Sequence, residues 1–193
     1  LPSVTATAKP AVAPVAKSIR GAQAGDDFVP VIADSQKPVT TNRLHEILAS
    51  EGYQVLHGLD AGHPSGENAR AWSEFGEFDE LGHKLQAKLA SHVDEQLDLL
   101  LDRIIHLIDA GWSSVRVVTD HGWLLVPGGL PSTPLPKYLA ECRWSRCAVI
   151  KEGAAADVPK AGWFWDYTQT VALAPGSYCF IATLFHACSV FVL

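Results

Sequence analysis

Apolar residues recur at spacings of three and four residues over the middle of this 193-residue chain. They are Leu85, Leu89, Val93, Leu97, Leu101, Ile104 and Ile108. This spacing places them on one side of an α-helix, so the sequence predicts one long amphipathic helix that starts at Gly82 and ends before Gly111. The β-branched stretch VRVVT (115–119) follows directly and predicts a buried strand. A long helix that leads straight into a buried strand is typical of the α/β class.

Shorter segments repeat the alternation of strand and helix. VPVI (29–32) and YQVL (53–56) are predicted strands, and residues 40–52 are predicted to form a helix closed by Gly52. The later predicted strands are GWLLV (122–126), RCAVI (146–150), VALA (171–174) and YCFIA (178–182). Because the strands alternate with helices, we expect an α/β layered domain whose sheet is covered on both faces.

The composition narrows the class of protein. With 48% hydrophobic and 19% charged residues, the chain can bury a core as a single domain over residues 1–193. The net charge is −6 and the basic residues form no run, which argues against a dedicated nucleic-acid binder, so we expect any DNA contact to be indirect. The longest apolar run (179–193) is too short to span a bilayer, and we expect no membrane contact.

The cysteines and the start of the chain bear on its cellular setting. There are four cysteines and no recognisable signal peptide, so we expect a cytoplasmic protein with reduced thiols. Cys142 and Cys147 have a spacing that zinc could use, but Cys147 falls in a predicted strand, so a four-cysteine zinc site is the less favoured interpretation. The chain starts at Leu1 and contains no methionine, so we expect it to be processed or part of a longer protein.

Asp120 and His121 follow the VRVVT stretch and precede Gly122. Ligands of open α/β sheets bind beyond the carboxyl ends of strands, and an adjacent Asp and His can bind one divalent ion where glycine lets the backbone turn sharply. The alternative is structural: Asp120 accepts hydrogen bonds from backbone amides in the turn, and His121 packs against its neighbours. On these residues alone, the structural interpretation is favoured.

A second pair of candidate metal ligands favours the metal-binding interpretation over the structural one. Asp79 with His83, and Asp102 with His106, have the four-residue spacing that puts both side chains on one helix face. Asp102 and His106 lie roughly opposite the apolar stripe and are predicted to be exposed to solvent, so they are set aside. Asp79 and His83 lie where a glycine-rich loop (57–76) enters the predicted long helix. They can therefore face the same cavity as the pair that follows the VRVVT strand.

Together these two pairs supply two carboxylates and two imidazoles. This ligand set suits two Zn²⁺ ions, with Mn²⁺ or Mg²⁺ as alternatives. Two ions a few ångströms apart can hold the attacking and leaving oxygens of a phosphoryl transfer. The residues therefore predict metal-dependent phosphoryl transfer without naming a nucleophile.

Several longer stretches resemble PglZ, the alkaline-phosphatase-superfamily component of BREX phage-resistance systems. They are FDELGHKLQAKLASHVDEQ, VRVVTDHGWLLVPGGLPSTPLPKYL and CRWSRCAVIK, and the similarity extends from LPSVTATAKPA to VALAPG. The resemblance implies a three-layer, alkaline-phosphatase-like α/β domain with a central mixed, mostly parallel sheet between helices. It also implies a two-metal hydrolase of phosphomonoesters or phosphodiesters, with other BREX proteins as partners.

The resemblance also assigns roles to the two pairs of ligands. In the superfamily, an Asp-x-x-x-His element binds one ion, and here it falls on Asp79 and His83. An Asp-His-Gly element binds the second ion, and here it falls on Asp120 and His121.

The first residues of the chain have two interpretations. The Ala, Pro, Ser and Thr composition of residues 1–20 predicts a flexible linker. The opening PSVT instead resembles the segment that carries the superfamily's hydroxyl nucleophile, with Thr5 at the matching position and Ser3 and Thr7 as neighbouring alternatives. The resemblance implies that a metal-activated Thr5 hydroxyl attacks phosphorus and forms a covalent intermediate.

The sequence departs from the family pattern at three points. The superfamily's first metal-binding Asp precedes the nucleophile, and no Asp precedes Thr5 here. The final metal-binding His usually has a glycine after it, whereas the nearest candidate, His186, lies in the apolar FHACS and fits a buried core residue equally well. Ser132 stands where we expect Lys in this family. The alternative function is therefore a scaffold or interaction module of the defence complex, with an incomplete site.

Overall fold

The fold is described from a computed structural model, which covers residues 4–22, 28–122, 129–143 and 145–180. The chain divides into two compact units. Unit 1 consists of Leu1–Thr40 and Thr119–Leu193, and unit 2 consists of Thr41–Val118. The expectation of one domain over the whole chain stays a prediction.

Helices and strands are interspersed along the described residues. The helices are α1 (Thr5–Val12), α2 (Thr41–Ser50), α3 (Phe78–Leu85) and α4 (Val93–Asp109). The strands are β1 (Ile19–Arg20), β2 (Val31–Ile32), β3 (Tyr53–Leu56), β4 (Arg70–Ser73), β5 (Ala140–Arg143), β6 (Cys147–Ile150), β7 (Lys160–Trp163) and β8 (Asp166–Leu173). The general α/β class predicted from the sequence is confirmed.

The strands of the described part pair in three small sheets. In unit 1, β1 and β2 form an antiparallel pair, and a four-stranded sheet of order β5-β6-β8-β7 is antiparallel throughout. In unit 2, β3 and β4 are parallel, with Leu56 opposite Ser73. The expected three-layer domain with a mostly parallel central sheet therefore stays a prediction, because the largest sheet described is small and antiparallel.

The centre of unit 1 is the strand β6, whose four residues are all buried. Side chains alternate between the two faces of a strand, so Cys147 and Val149 pack on one face with Trp163, while Ala148 and Ile150 pack on the other. Because both faces of the strand are buried, the sequence of RCAVI is apolar at consecutive positions and does not alternate with polar residues.

The helix α1 corrects the interpretation of the first residues as a linker. Thr5–Val12 is helical even though Pro10 lies inside the helix, where it removes one backbone donor. Thr7, Ala8 and Pro10 are buried against the rest of unit 1. Tertiary packing therefore overrides a local composition that disfavours a helix.

The predicted long helix is interrupted. Helix α3 is followed by a 3₁₀ segment, Gln86–His92, before α4 begins. A 3₁₀ helix turns about 20° more per residue than an α-helix, so the apolar stripe loses its phase across this segment. Leu89 is buried, but the inner face of α4 carries Arg103 and Leu107, and the stripe residues Leu97, Leu101 and Ile108 are exposed. The prediction of one continuous inward stripe was therefore wrong.

The end of the predicted long helix is as expected. Helix α4 ends at Asp109, and Gly111 adopts a positive φ of 104°. A glycine tolerates this conformation at a helix terminus without a steric penalty.

The prediction of a buried strand at VRVVT (115–119) was also wrong. These residues form no strand in the structure, and Val117 and Val118 are exposed. A β-branched run has a preference for the extended state, but that preference is decided by packing and by a neighbouring strand. Asp120 and His121 therefore follow an irregular segment.

Other local predictions are confirmed. YQVL forms β3, RCAVI contains β6, VALA overlaps β8 and residues 40–52 contain α2. VPVI is a strand only at Val31–Ile32, and the predicted loop 57–76 contains the strand β4. Most of GWLLV and the end of YCFIA lie outside the described residues. No helix within the described residues has the length and apolar character needed to cross a membrane.

Candidate functional site

Thr5 and His121 meet in unit 1 although they are 116 residues apart in sequence. The Oγ1 atom of Thr5 and the Nε2 atom of His121 share a hydrogen bond of 2.9 Å. Thr5 donates this bond in the tautomer whose Nε2 is unprotonated. The structure therefore places a hydroxyl group, predicted as a nucleophile, against an imidazole predicted as a metal ligand.

Thr5 has this position because α1 begins there. The preceding residue, Val4, is extended and buried, and its carbonyl accepts hydrogen bonds from the amides of Thr7 and Ala8. Thr5 is thus the first residue of the helix, and its side chain is exposed. The hydroxyl is held by a short element but is reachable from solvent.

Asp120 lies beside the same imidazole. Its Oδ2 atom is 3.9 Å from Nε2 of His121, and the side chains of Asp120 and His121 are 22% and 11% exposed. The hydroxyl of Thr119 donates a hydrogen bond of 2.5 Å to the carbonyl oxygen of His121. This bond fixes the backbone turn that contains Asp120. Nε2 of His121 therefore faces both the Thr5 hydroxyl and the Asp120 carboxylate.

Two tryptophans fix the first turn of α1. Trp163, at the end of β7, donates a hydrogen bond of 2.9 Å from Nε1 to the Thr7 hydroxyl. Trp165, in the turn to β8, donates one of 2.9 Å from Nε1 to the Thr7 carbonyl oxygen. Trp163 and Thr7 are both fully buried. Because Thr7 lies two residues after Thr5, these bonds set the position of the Thr5 hydroxyl.

The turn that carries Trp165 is itself held by a network at Asp166. The carboxylate of Asp166 accepts hydrogen bonds from the hydroxyl and backbone amide of Thr168 and from Nε2 of Gln169. These bonds from Thr168 and Gln169 lower the pKa of Asp166 below its usual value. The amide of Gly21 donates a bond of 2.8 Å to the Trp165 carbonyl. Hydrogen bonds at Asp166 and Gly21 therefore hold the turn that carries Trp165.

Gly21 permits the close approach of its segment to this turn. A Cβ atom at Gly21 would lie 2.5 Å from Cβ of Asp166 and 2.7 Å from the Trp165 carbonyl oxygen. Only a residue without a side chain fits at this position without displacing backbone.

Asp79 and His83 belong to unit 2. They lie on one face of α3, with Oδ1 of Asp79 3.7 Å from Nε2 of His83, and their side chains are 51% and 67% exposed. The predicted one-turn pairing is therefore present within the helix. The other Asp-x-x-x-His pair, Asp102 and His106, is exposed on α4 as predicted.

The other predicted residues are a buried threonine, an exposed serine and two residues outside the described ranges. Thr7 is excluded as a nucleophile because it is fully buried and its hydroxyl accepts the Trp163 bond. Ser132 is exposed and pairs through its backbone with Cys179. Ser3 and His186 lie outside the described residues.

Three donor atoms of unit 1 lie close together and can be compared with the geometry of one divalent ion. Ligand atoms of a tetrahedral zinc ion, each about 2.0–2.1 Å from the metal, lie about 3.3 Å apart. Nε2 of His121 lies 2.9 Å from the Thr5 hydroxyl and 3.9 Å from Oδ2 of Asp120, so the two distances fall on either side of that value. An imidazole nitrogen, a carboxylate oxygen and a hydroxyl oxygen are all suitable donors. Across the described ranges, no three side chains of His, Cys, Asp or Glu are grouped to hold a metal. The candidate metal donors of unit 1 are the Asp120 carboxylate, the His121 imidazole and the Thr5 hydroxyl.

Sequence reasoning missed Trp163 and Trp165. The available signal was the pair of indoles, two residues apart, between two segments of strand-like sequence. That pattern indicates aromatic packing at a hairpin, but it does not identify Thr7 as the acceptor, because the bonds span 156 and 158 residues.

Comparisons with known proteins found no match, so the site is interpreted from its geometry. No family model matches the chain, and neither the curated proteins nor the solved structures contain a match to it.

Proposed function

We propose that this chain is a metal-dependent phosphohydrolase domain of the PglZ type, acting on phosphomonoesters or phosphodiesters in a BREX phage-resistance system. One observation carries the proposal: the 2.9 Å contact between Oγ1 of Thr5 and Nε2 of His121. The sequence resemblance names these residues as nucleophile and metal ligand, and they come from segments 116 residues apart. Their contact is what a shared catalytic site requires.

Thr5 is the nucleophile in this proposal. A divalent ion held by Asp120, His121 and Thr5 would make the hydroxyl easier to deprotonate and would offset the charge on the phosphoryl oxygens. The Thr5 hydroxyl gives its proton to solvent as Oγ1 forms a bond to phosphorus, the bond from phosphorus to the ester oxygen breaks, and that oxygen keeps the electron pair and takes a proton from solvent. Water then forms a bond to phosphorus, the Thr5–phosphorus bond breaks, and one proton of that water returns to Oγ1. The product is phosphate from a monoester and a phosphomonoester from a diester.

Asp79 and His83 are proposed as ligands of a second ion. They have the Asp-x-x-x-His spacing on one helix face, and both side chains are at least half exposed and so reachable by a metal. The ions are proposed to be zinc, with manganese or magnesium as alternatives. Other BREX proteins are the proposed partners, the cytoplasm is the proposed location, and any contact with DNA is indirect.

Hydrolysis of a generic phosphate ester tests this function. With p-nitrophenyl phosphate and bis-p-nitrophenyl phosphate as probes and added zinc or manganese, we expect Thr5→Val to lower turnover by about a thousandfold or more, because it removes the nucleophile. Asp120→Ala and His121→Ala should also abolish metal-dependent turnover. The matched control is the double variant Asp102→Ala/His106→Ala, which removes an exposed Asp-x-x-x-His pair and should leave turnover unchanged. Equal turnover in wild type and Thr5→Val would refute the proposal.

The second candidate function is a scaffold or interaction module with an incomplete site. It is favoured by the observation that, within the described residues, no three side chains of His, Cys, Asp or Glu are grouped to hold a metal. If this function is correct, the chain binds its defence partners equally well with and without Thr5→Val and hydrolyses neither ester. Metal-dependent hydrolysis that Thr5→Val removes would exclude it.

A further inference from the structure

Arg103 is the buried cation of unit 2. It lies on the inner face of α4 and is only 4% exposed. Its Nη2 atom donates a hydrogen bond of 2.6 Å to the carbonyl oxygen of Asp60 and one of 3.2 Å to the Ser73 hydroxyl. Both acceptors are neutral, so these bonds hold the guanidinium without balancing its charge.

The other two nitrogens of Arg103 have no acceptor among the residues that the structure describes. Nε and Nη1 are buried and make no hydrogen bond to any described residue. A buried charge without a counter-charge, and with unpaired donors, is strongly unfavourable in a low-dielectric interior. Buried donors of this kind require an explanation, such as an ion or a ligand that supplies the missing acceptors.

The position of Arg103 in unit 2 is where α/β proteins bind ligands. Ser73 is the last residue of β4, and it pairs with Leu56, the last residue of the parallel strand β3. Asp60 lies in the loop that follows β3. Arg103 therefore sits at the carboxyl edge of a parallel strand pair, beneath the loop that leaves it.

That loop is held by side chains rather than by a sheet. Gln54 donates from Nε2 to the carbonyl of His63 and accepts from the amide of His63, each at 2.8 Å. Trp112 donates from Nε1 to the carbonyl of Ala61 at 2.7 Å. The loop therefore covers Arg103 through a few exchangeable bonds, one of which is the bond from Arg103 to the Asp60 carbonyl.

Two acidic side chains near Arg103 make bonds to other groups. Oδ1 of Asp60 accepts a hydrogen bond of 2.9 Å from the amide of Gly62. Glu74 follows Ser73, and its Oε1 atom lies 2.9 Å from Nε2 of His45 and 3.3 Å from Nε1 of Trp72. The bonds of Arg103 to the Asp60 carbonyl and the Ser73 hydroxyl therefore leave its positive charge without a carboxylate partner.

We propose that unit 2 binds a phosphate group at Arg103. Nε and Nη1 supply donors to two or more phosphate oxygens, the Ser73 hydroxyl supplies another, and the loop carbonyl of Asp60 is displaced as the anion enters. Arg is the side chain best suited to several simultaneous bonds to one phosphate. This site belongs to unit 2 and does not depend on the hydrolase proposed at Thr5.

Titration with inorganic phosphate, followed by the side-chain Nε–H signals of arginine in NMR spectra, tests this site. Arg103 is assigned with Arg103→Lys, and chloride at matched ionic strength is the reference. We expect a saturable shift of the Arg103 signal at millimolar phosphate. Arg103→Met should weaken phosphate binding by about tenfold or more, since charge-assisted bonds are lost. Arg116→Met removes the same charge from an exposed arginine of unit 2 and should leave binding unchanged.

The outcomes separate the explanations. No saturable shift of the Arg103 signal in wild type would overturn the proposal. Acetate binding as tight as phosphate would overturn the assignment to phosphate. Equal loss in Arg116→Met would show non-specific charge attraction. If Arg103→Met fails to fold, as judged by circular dichroism, Ser73→Ala tests the same site and should weaken binding severalfold.

Discussion

Two buried polar residues, Thr7 of unit 1 and Arg103 of unit 2, differ in how their polar atoms are satisfied. The hydroxyl and carbonyl of Thr7 both accept tryptophan N–H bonds. Arg103 keeps two buried nitrogens without an acceptor among the described residues, whereas Arg146 of unit 1 keeps only one. A satisfied polar group fixes one geometry, whereas buried donors without acceptors require an explanation such as a ligand. The difference between Thr7 and Arg103 therefore indicates that Thr7 fixes the position of a site, while Arg103 has donors available to a ligand.

The largest expected effect concerns the indole that anchors α1. Trp163→Ala should lower the free energy of unfolding by about 3–5 kcal/mol, because it creates a cavity beside β6 and leaves Thr7 without its donor. Its neighbour Phe164 is 39% exposed, and Phe164→Ala should cost about 1 kcal/mol or less. Urea denaturation followed by circular dichroism compares the two variants. Equal losses would show that the contact between Trp163 and α1 does not stabilise unit 1.

The next effect tests where the apolar stripe of unit 2 is buried. Leu89, in the 3₁₀ segment, is fully buried, whereas Leu101 in α4 is 54% exposed. Leu89→Ala should cost about 2–5 kcal/mol, and Leu101→Ala should stay within about 0.5 kcal/mol of wild type. Urea midpoints measure both changes. A larger loss for Leu101→Ala would mean that the stripe is continuous, as the sequence predicted.

A smaller effect compares two glycines, one in each unit. Gly21→Ala should cost about 1–3 kcal/mol, because its new methyl group would meet the Trp165 backbone and displace the turn. Gly58 in unit 2 has open space around it, so Gly58→Ala should cost only about 1 kcal/mol, from its positive φ. The melting temperatures of the two variants distinguish these cases. A greater loss for Gly58→Ala would contradict the close contact at Gly21.

The smallest effect is a pH dependence from unit 1. Burial raises the pKa of the Cys179 thiol, and the positive charge of Arg146 opposes this only in part. A raised pKa in the folded state stabilises the fold below the unfolded value of about 8.5, and this stabilisation is lost as pH rises through the folded value. Unfolding free energy should therefore fall more steeply above that pH in wild type than in Cys179→Ala. Identical slopes would contradict a buried, neutral thiol.

Local patterns were sufficient where neighbours in sequence decide the structure. YQVL and RCAVI became β3 and β6 because each apolar run packs within its own small sheet, and Gly111 ended α4 because its positive φ is a local property. VRVVT has the same residue preference but pairs with no strand among the described residues, and without a partner strand that preference does not produce a strand.

In the candidate site, too, the sequence pattern predicted a local feature but gave no information on long-range contacts. The spacing of Asp79 and His83 correctly predicted a pair on one helix face, since one turn of helix decides it. The contact of Thr5 with His121 was anticipated only through a resemblance, and the tryptophan anchors of Thr7 were missed. These contacts join segments more than a hundred residues apart, about which local periodicity carries no information.

Metal stoichiometry is the most direct test of the claim that Thr5, Asp120 and His121 form one metal site. Plasma mass spectrometry would compare the purified chain, Asp120→Ala/His121→Ala and Asp102→Ala/His106→Ala after removal of loosely bound ions. The site predicts about one or two ions per chain in wild type and in the Asp102/His106 control, with fewer in the Asp120/His121 variant. Equal metal content in all three proteins, or none in any of them, would contradict it.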